Sequence, residues 1–270
     1  MKPPVAIIGG SGISNIIKGQ RLTVGTPYGP TPPLTVGELE GKKVIFIPRH
    51  GENHSAPPHK VNYRANIHGL KKLGVERIIA TNAVGAIDQR LTPGDIVIPN
   101  DLVDFTRSRH NTFYEGPPVT HIDVSEPYCP TLRGVLTSAN GSSGHESVEQ
   151  VVMACTEGPR YETPAEIRML RTVGCGIVGM TGAPEVFLAR ELELCYASIC
   201  FISNMAAGLQ NSLSAQEVED RGRDTTRILN DIIAEAVREI PDRRTCPCAK
   251  ALASAQLSKP ERARGGGKIA

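Results

Sequence analysis

The chain has 270 residues, of which 40% are apolar and 21% are charged, and its formal net charge is +2. These proportions exclude a disordered chain, whose apolar content would be too low to offset the entropy lost on folding. No apolar run approaches the roughly 18 residues needed to cross a bilayer, which argues against an integral membrane protein.

Seven short apolar runs predict β-strands. The runs are continuous rather than alternating, which is typical of strands covered on both faces. They lie at 5–10, 44–48, 77–81, 95–99, 151–156, 176–181 and 197–204. The first is too short for the apolar core of a signal peptide, so we expect the protein to stay in the cytoplasm.

Four further segments have helical signals. Residues 66–74 end in a glycine, as helix C-termini often do, and residues 184–191 follow a Gly-Ala turn. Thr163 and Glu166 have capping-box spacing, which predicts a helix over 164–171. Ser214 is the expected cap of the last helix, whose apolar residues recur every three or four positions before Pro241.

The alternation of strands and helices predicts an α/β fold. We expect a central mixed or largely parallel sheet flanked by helices in one domain over 1–240, followed by a tail over 241–270. The segments 50–62 and 106–150 are rich in Pro, Gly, Ser and His, and we expect them to form long loops that carry function.

The basic excess of the chain lies in the tail. Residues 241–270 hold seven Lys/Arg and two Asp/Glu, whereas the first 240 residues have a net charge of −3. The tail has no aromatic residue on which nucleic-acid bases could stack. We therefore expect neither nucleic acid nor a membrane as a partner.

Seven cysteines are many for an intracellular chain, and they allow two interpretations. They lie at Cys129, Cys155, Cys175, Cys195, Cys200, Cys246 and Cys248. They can be buried inert thiols, or stabilising disulfides of the kind found in intracellular proteins of hyperthermophiles. The Cys-Pro-Cys at 246–248 is not a CxxC motif and no second pair stands near it to complete a zinc site, so we expect no metal there.

Glycine-rich and basic residues follow three of the predicted strands. Gly-Gly-Ser-Gly at 9–12 can present amides to a phosphate or form an ordinary tight turn. It lacks the Lys-Ser/Thr of a Walker A loop, and Asn15 stands where a dinucleotide motif has its third glycine. A dinucleotide-dependent oxidoreductase would explain these glycines and no other motif.

The next two strand ends strengthen the phosphate interpretation. Pro-Arg-His-Gly at 48–51 offers Arg49, which can grip a phosphate with two donors, and 81–86 are small residues with available amides. His50, His54 and His59 raise the possibility of a metal site, but intervening Pro and Gly deny them a regular helix and HExxH is absent. Ligands bind at the carboxyl edge of such sheets, so we expect a phosphate or a phosphorylated substrate and no metal.

Taken in order, five motifs resemble those of the trimeric purine nucleoside phosphorylase family, in particular its methylthioadenosine phosphorylase branch. They are the segments 9–12, 48–51, 81–85, 157–163 (Glu-Gly-Pro-Arg-Tyr-Glu-Thr) and 179–181 (Gly-Met-Thr), and the resemblance covers roughly 5–240. It implies the nucleoside phosphorylase fold and an enzyme that uses inorganic phosphate to split purine nucleosides, without an organic cofactor or metal.

The resemblance also implies roles for individual residues. Catalysis would rest on Asn204, His50 and Arg49. The phosphate would be held by Ser11, Arg49, His50, the Ala83 amide and Thr181, and the nucleoside by Asn82, Ala83, Gly85, Tyr161, Met180, Asn204, Ala206 and His54. His121 would be lent by a neighbouring subunit, which implies a homotrimer or a hexamer built as a dimer of trimers.

Two departures from the branch bear on the substrate. Glu162 stands where the methylthioadenosine phosphorylases have a small hydroxyl residue, and Asn204 begins the segment where they have an Asp-x-Asp pair. The resemblance implies that a Glu together with an Asn is the combination used by 6-oxopurine phosphorylases. A carboxylate accepts a hydrogen bond from the N1–H of hypoxanthine or guanine but repels the bare N1 of adenine. Ala215 aligns where enzymes that take a 5′-hydroxyl often have a His, which leaves room for an apolar methylthio group.

These substitutions together predict methylthioinosine as the favoured substrate, with methylthioadenosine possible. The alternatives are a general phosphorylase of inosine and guanosine, and a nucleoside- or phosphate-binding protein without turnover. Thermophilic archaeal relatives of the branch carry disulfides and a C-terminal Cys-x-Cys. The resemblance therefore assigns such a role to Cys129, Cys195, Cys200 and the Cys246/Cys248 pair.

Overall fold

A computed structural model describes residues 4–10, 13, 16–144, 148 and 150–256 of the chain. The described residues form twelve strands: β1 Val5–Gly9, β2 Gly19–Leu22, β3 Gly25–Thr26, β4 Gly29–Pro30, β5 Leu34–Leu39, β6 Lys42–Pro48, β7 Arg77–Ala86, β8 Ile96–Val97, β9 Asp101–Asp104, β10 Val152–Cys155, β11 Cys175–Gly179 and β12 Cys195–Met205.

Five α-helices and three 3-10 turns complete the described secondary structure. The helices are α1 Tyr63–Lys72, α2 Pro130–Ser142, α3 Pro164–Thr172, α4 Glu185–Glu191 and α5 Ala215–Glu239. The 3-10 turns are Glu52–His54, Pro58–Lys60 and Pro247–Lys250. None of the described helices is long and apolar enough to cross a membrane.

Ten of the strands form one mixed sheet. Its main path runs β2-β5-β6-β1-β7-β11-β10-β9, while β12 pairs with β7 and with β8. β6, β1, β7 and β12 are mutually parallel through the β1/β6, β1/β7 and β7/β12 pairs, so their carboxyl ends share one edge of the sheet. β5/β6 and β7/β11 are antiparallel, which confirms the prediction of a mixed α/β sheet flanked by helices.

The apolar runs of the sequence form the core of the sheet. Every residue of β1 is buried, as are all residues of β12 except its last. α5 lies on one face and buries a stripe spaced by three and four residues, for example Leu229, Ile233 and Val237. Each buried aliphatic side chain of this kind stabilises the fold by roughly 1.5–3 kcal/mol.

The predicted helix caps are present. The Thr163 hydroxyl accepts a hydrogen bond from the Glu166 amide while the Glu166 carboxylate accepts one from the Thr163 amide, a complete capping box. Ser214 caps α5 by accepting from the Glu217 amide. Such caps stabilise a helix by about 1 kcal/mol, because they satisfy amides that have no partner within the helix.

The prediction of loop over 106–150 is wrong at α2. That helix contains Gly134, Gly141 and several Ser and Thr residues, so its composition is poor in helix formers, yet Leu132 and Leu136 face the core one turn apart. The strand predicted at 95–99 is formed only at Ile96–Val97.

The described part of the tail packs on the body. Arg77 donates to the carbonyls of Pro241 and Asp242, and Arg244 donates to the carbonyl of Glu193. Further on, the His121 amide donates to the Ala255 carbonyl. The division into a domain over 1–240 and a tail stays a prediction.

Candidate active site

A cavity of about 260 Å³ opens at the carboxyl edge shared by β1, β6, β7 and β12. It is lined by Gly10 after β1, by the segment after β6, by the second half of β7 and by the end of β12. α5 closes one side with Val218, and Pro57 and Pro58 close another. Its place agrees with the rule that ligands bind at the carboxyl ends of parallel strands.

The cavity brings together most residues that the sequence assigned to a site. Those that line it are Arg49, His50, His54, Asn82, Ala83, Gly85, Tyr161, Glu162, Met180, Thr181, Asn204 and Ala206. They come from five separate segments of the chain, so their convergence is a property of the fold. Their contacts with a ligand stay predictions.

Three assigned residues are not in this lining. Ala215 is exposed at the first position of α5, and Leu213 and Val218 line the cavity there; the placement of Ala215 beside a 5′-methylthio group stays a prediction. His121 is exposed on the loop before α2, outside the cavity of its own chain, and its role toward a neighbouring subunit stays a prediction. Ser11 lies outside the described residues.

Arg49 is held from behind by a carboxylate. Its Nε and Nη2 donate to the two Glu185 oxygens at 2.9 and 2.7 Å, and its Nη1 donates to the Thr81 carbonyl at 2.7 Å. Both charged side chains are fully buried. Burial alone would lower the pKa of Arg49, but the adjacent carboxylate more than offsets this, so the pKa is raised and the guanidinium stays charged.

The backbone at Gly10 packs directly against this guanidinium. A Cβ at Gly10 would lie 2.8 Å from both Arg49 Nη1 and the Thr81 carbonyl oxygen, so only glycine fits. The Gly10 amide donates to the Thr81 hydroxyl at 3.0 Å. Gly10 therefore provides a close backbone approach to the arginine.

His50 is neutral and has a defined tautomer. Its Nδ1–H donates to the Ala56 carbonyl at 2.8 Å, which leaves Nε2 with a lone pair. Burial and the charge of Arg49 lower the pKa of His50 to about 4. A neutral His50 can accept a hydrogen bond from a protonated oxygen of a phosphate. Its ring stacks on that of His54 at 5.6 Å between centroids.

Thr181 and Asn82 form a buried relay of hydrogen bonds beside the two basic residues. The Thr181 hydroxyl donates to Asn82 Oδ1 at 2.7 Å, and Asn82 Nδ2 donates to the Ser198 hydroxyl at 2.5 Å. These bonds hold the Thr181 hydroxyl in place at the cavity wall and leave its oxygen lone pairs as acceptors. The sequence gives no sign of the Ser198 partner.

Asn204 lies at an irregularity of the sheet. The register between β12 and β7 shifts between Ile202 and Asn204, a bulge of the kind found beside active sites. Asn204 Oδ1 accepts from the Ser203 hydroxyl at 2.6 Å and Nδ2 donates to the Met205 carbonyl at 2.8 Å. An amide has a second lone pair and a second N–H, so it can also bind a ligand.

Glu162 is held at the cavity by one of its two oxygens. Thr156 donates its hydroxyl to Glu162 Oε1 at 2.6 Å, which orients the carboxylate and leaves Oε2 as the acceptor for a ligand. Thr156 was not assigned to the site from the sequence, although a polar residue that ends a buried strand was an available signal.

Arg109 organises the wall that contains Met180. It donates to the carbonyls of Met180 and Ala183 at 2.8 and 2.7 Å, and to those of Glu157 and Thr156 at 2.7 and 3.2 Å. One guanidinium thus ties the loop after β10 to the loop after β11. Its position in the loop before α2 carried no sequence signal for this role.

The arrangement can bind an anion next to a compartment that has both polar and apolar walls. Arg49, His50 and Thr181 form the anion end, and Glu162 and Asn204 lie on the wall of the polar compartment, with Leu213 and Val218 as apolar neighbours. Such a pairing suits the attack of a bound oxyanion on a neighbouring carbon, because position and charge complementarity provide most of the rate.

Comparison with known proteins agrees with this chemistry. Residues 4–238 match the model of the family described as the phosphorylase superfamily. The chain is 51% identical over 262 residues to the probable S-methyl-5′-thioinosine phosphorylase of Methanothermobacter thermautotrophicus, covering 95% of this chain and 91% of that one. It is 46% identical to the probable 6-oxopurine nucleoside phosphorylase of Thermococcus kodakarensis, covering 94% and 98%.

A solved structure is also similar over nearly the whole chain. The methylthioadenosine phosphorylase from Schistosoma mansoni in complex with adenine superimposes with a TM-score of 0.89 at 32% identity, covering 94% of this chain and 99% of that one.

Proposed function

The chain belongs to the phosphorylase superfamily, and we propose that it splits 5′-methylthioinosine with inorganic phosphate, giving hypoxanthine and 5-methylthioribose 1-phosphate. The observation that carries the choice of base is the Glu162 carboxylate on the cavity wall, oriented by Thr156. Methylthioinosine and methylthioadenosine differ at the purine 6-position and hence at N1, where one has an N–H and the other a lone pair.

In the proposed reaction a phosphate oxygen attacks C1′ of the ribose from the face opposite the base. A C–O bond forms, the C1′–N9 bond breaks, and its electron pair passes into the purine, which takes a proton from solvent at N7. Arg49, His50, Thr181 and the Ala83 amide hold the phosphate beneath the developing oxocarbenium ion. Asn204 accepts from the protonated N7, so it stabilises the leaving base.

Glu162 selects the base. Its Oε2 accepts a hydrogen bond from N1–H of a 6-oxopurine, whereas adenine would set a lone pair against the carboxylate. A site whose buried polar group is left unpaired by the wrong substrate can discriminate by about 10⁴. The similarity to relatives named for methylthioinosine and for 6-oxopurine nucleosides supports a preference for a 6-oxopurine base.

The sugar end of the substrate meets apolar residues. Leu213 and Val218 line the cavity beside α5, and neither can hydrogen-bond a 5′-hydroxyl. We assign them the apolar contact with the methylthio group, and the role of Ala215 beside them stays a prediction. Met180 lies against the ribose and Tyr161 against the base or sugar. This end favours a methylthio group over the hydroxyl of inosine.

The remaining parts of the proposal concern assembly and setting. His121 completes the site of a neighbouring subunit in a homotrimer, or in a hexamer of two trimers. Phosphate is a co-substrate, and the reaction needs no organic cofactor. Its products place the enzyme in purine and methionine salvage in the cytoplasm.

The test is base release in phosphate buffer with methylthioinosine, methylthioadenosine, inosine, guanosine and adenosine. We expect kcat/KM to be highest for methylthioinosine, and Glu162→Gln to lower the preference for the 6-oxo base by about 10- to 150-fold, since a hydrogen bond to a charged group contributes about 1.5–3 kcal/mol. Glu219→Gln, on the exposed face of α5, is the matched control and should leave the preference unchanged.

Each outcome separates the parts of the proposal. Equal or faster cleavage of methylthioadenosine would refute the role of Glu162. Equal rates with inosine and methylthioinosine would refute the role of Leu213 and Val218 and favour a general 6-oxopurine phosphorylase. Binding of nucleoside without base release would mean a binding protein.

A further inference from the structure

Four cysteines from three segments of the chain converge in the described structure. Cys129 precedes α2, Cys195 begins β12, and Cys246 and Cys248 flank Pro247 in the tail. Their Sγ atoms all lie within 4.8 Å of one another, and those of Cys195 and Cys246 are 3.3 Å apart. The expectation that the Cys-Pro-Cys has no second pair is wrong, because the fold supplies one from distant positions.

The spacing of the sulfurs suits a metal ion. Tetrahedral zinc–sulfur bonds of about 2.3 Å place the sulfurs about 3.8 Å apart. Sulfurs 4.8 Å apart at most would need to move inward by only about 0.6 Å each to reach that geometry. All seven cysteines are among the described residues and each is a free thiol, and Cys200 lies outside the group, beside Ser198.

The surroundings of the four sulfurs supply positive partners. Arg190, which is 8% exposed, donates from Nη1 to Cys248 Sγ at 3.5 Å. Cys129 directly precedes α2, so its sulfur belongs to the N-terminal end of that helix, where the helix dipole favours negative charge. A tetrathiolate zinc centre has a net charge of −2, and donors of this kind stabilise it from the outer shell.

We propose that the thiolates of Cys129, Cys195, Cys246 and Cys248 bind one zinc ion as a structural site that fastens the tail to the body. Four Zn–S bonds form as the four thiols release their protons to solvent, and no oxidation or reduction occurs. The protein fills all four coordination positions, which is the pattern of structural rather than catalytic zinc.

The position of the cluster agrees with a structural role. Cys195 is the first residue of β12 and Asn204 lies near its other end. At about 3.3 Å per residue the cluster is roughly 30 Å from the cavity along this strand. The proposal is therefore independent of the proposed reaction, and its test uses no turnover measurement.

The experiment uses the full chain purified without chelator and without reductant. Metal content is measured by mass spectrometry, and thiols are titrated after denaturation with chelator. We expect about one zinc per chain and all seven cysteines as thiols. Replacement of the metal by Co²⁺ should give the intense visible bands and sulfur-to-cobalt charge transfer of a tetrahedral tetrathiolate.

Two variants and a control locate the site. Cys248→Ser and Cys246→Ser should each lose the zinc, and their thermal midpoints should no longer fall on treatment with chelator. Cys175→Ala removes a buried thiol in β11, outside the cluster, and should keep both the zinc and the chelator-dependent fall.

Four results would overturn the proposal, three of which concern the thiols and the retention of the metal. These three are seven thiols with no bound metal, a metal that both serine variants retain, and fewer than seven thiols with the cluster peptides joined by disulfides, which the resemblance to thermophilic relatives implies. Iron or copper in place of zinc in the purified protein would also overturn it. None of these results depends on whether methylthioinosine is the substrate.

Discussion

Replacing Glu185 by Gln should destabilise the protein and weaken phosphate binding, although Glu185 does not line the cavity. The carboxylate accepts from two nitrogens of Arg49 and, at 2.8 Å, from the Tyr196 hydroxyl. Gln keeps the shape but removes the charge and one acceptor. The guanidinium would then be fully buried without a compensating anion.

The magnitude follows from that burial. Both side chains have zero exposure, and breaking a fully buried ion pair by removing one partner costs about 3–5 kcal/mol. Arg49→Met combined with Glu185→Leu removes both charges. Because no buried charge is then left unpaired, the double variant should recover at least about 2 kcal/mol relative to Glu185→Gln.

Urea unfolding at one fixed protein concentration measures these differences. The matched control is Asp220→Asn, which removes a carboxylate paired with Arg223 on the exposed face of α5 and should cost less than about 1 kcal/mol. A loss below about 1 kcal/mol in Glu185→Gln, or a double variant less stable than the single one, would refute the reasoning.

The same variant has a kinetic readout that a merely structural defect would not produce. Glu185 fixes the direction of the guanidinium, so its loss should raise the KM for phosphate by about tenfold or more, as for a misplaced binding group. The KM for the nucleoside should change much less. Equal changes in both constants would mean that Glu185 supports the fold without positioning Arg49.

Three further changes test other contacts of the site. The pKa of His50 is lowered to about 4 from an ordinary value near 6.5, so the unfolded chain binds more protons than the folded one between these values. This contribution to the free energy of unfolding is present above pH 6.5, and about 2 kcal/mol of it is lost by pH 5. Urea unfolding of His50→Gln should therefore lose about 2 kcal/mol less than the unchanged protein over this pH range, and parallel pH profiles would contradict it. Gly85→Ala places a Cβ 3.3 Å from Asn204 Nδ2, so kcat/KM for methylthioinosine should fall about 10- to 100-fold, whereas an unchanged value would show that the amide has room to move. Arg109→Met leaves buried carbonyls, including that of Met180, without their donor. The free energy of unfolding in urea should therefore fall by at least about 3 kcal/mol, with partial recovery in Arg109→Lys. A smaller fall would mean that water replaces the guanidinium.

The parts of the fold that local patterns control were predictable. Continuous apolar runs predicted the strands that carry the site, and cap residues predicted where α3 and α5 begin. β2 was not predicted because it is a short edge strand with three exposed residues and no apolar run. α2 was missed because tertiary packing of its leucines overrides a composition unfavourable to helix.

The site divides in the same way. Residues that follow directly after a predicted strand, such as Arg49 and His50, could be assigned because parallel strands bring their carboxyl ends together. Glu185 is 136 positions from Arg49 in the chain, and no local pattern marks an ordinary glutamate in a helix as the partner of a buried arginine. Separation in sequence also concealed the four-cysteine cluster, whose members lie in three distant segments.

The apolar end of the cavity is formed by residues other than the alanine that the sequence pointed to. The sequence placed the alanine by alignment with phosphorylases that carry a His there, but only the packed structure fixes which side of a helix meets a cavity. Ala215 is exposed, and Leu213 and Val218 face the cavity instead. Neither can hydrogen-bond a hydroxyl, so the proposal of a methylthio group rests on the chemistry of this wall and on a different pair of residues.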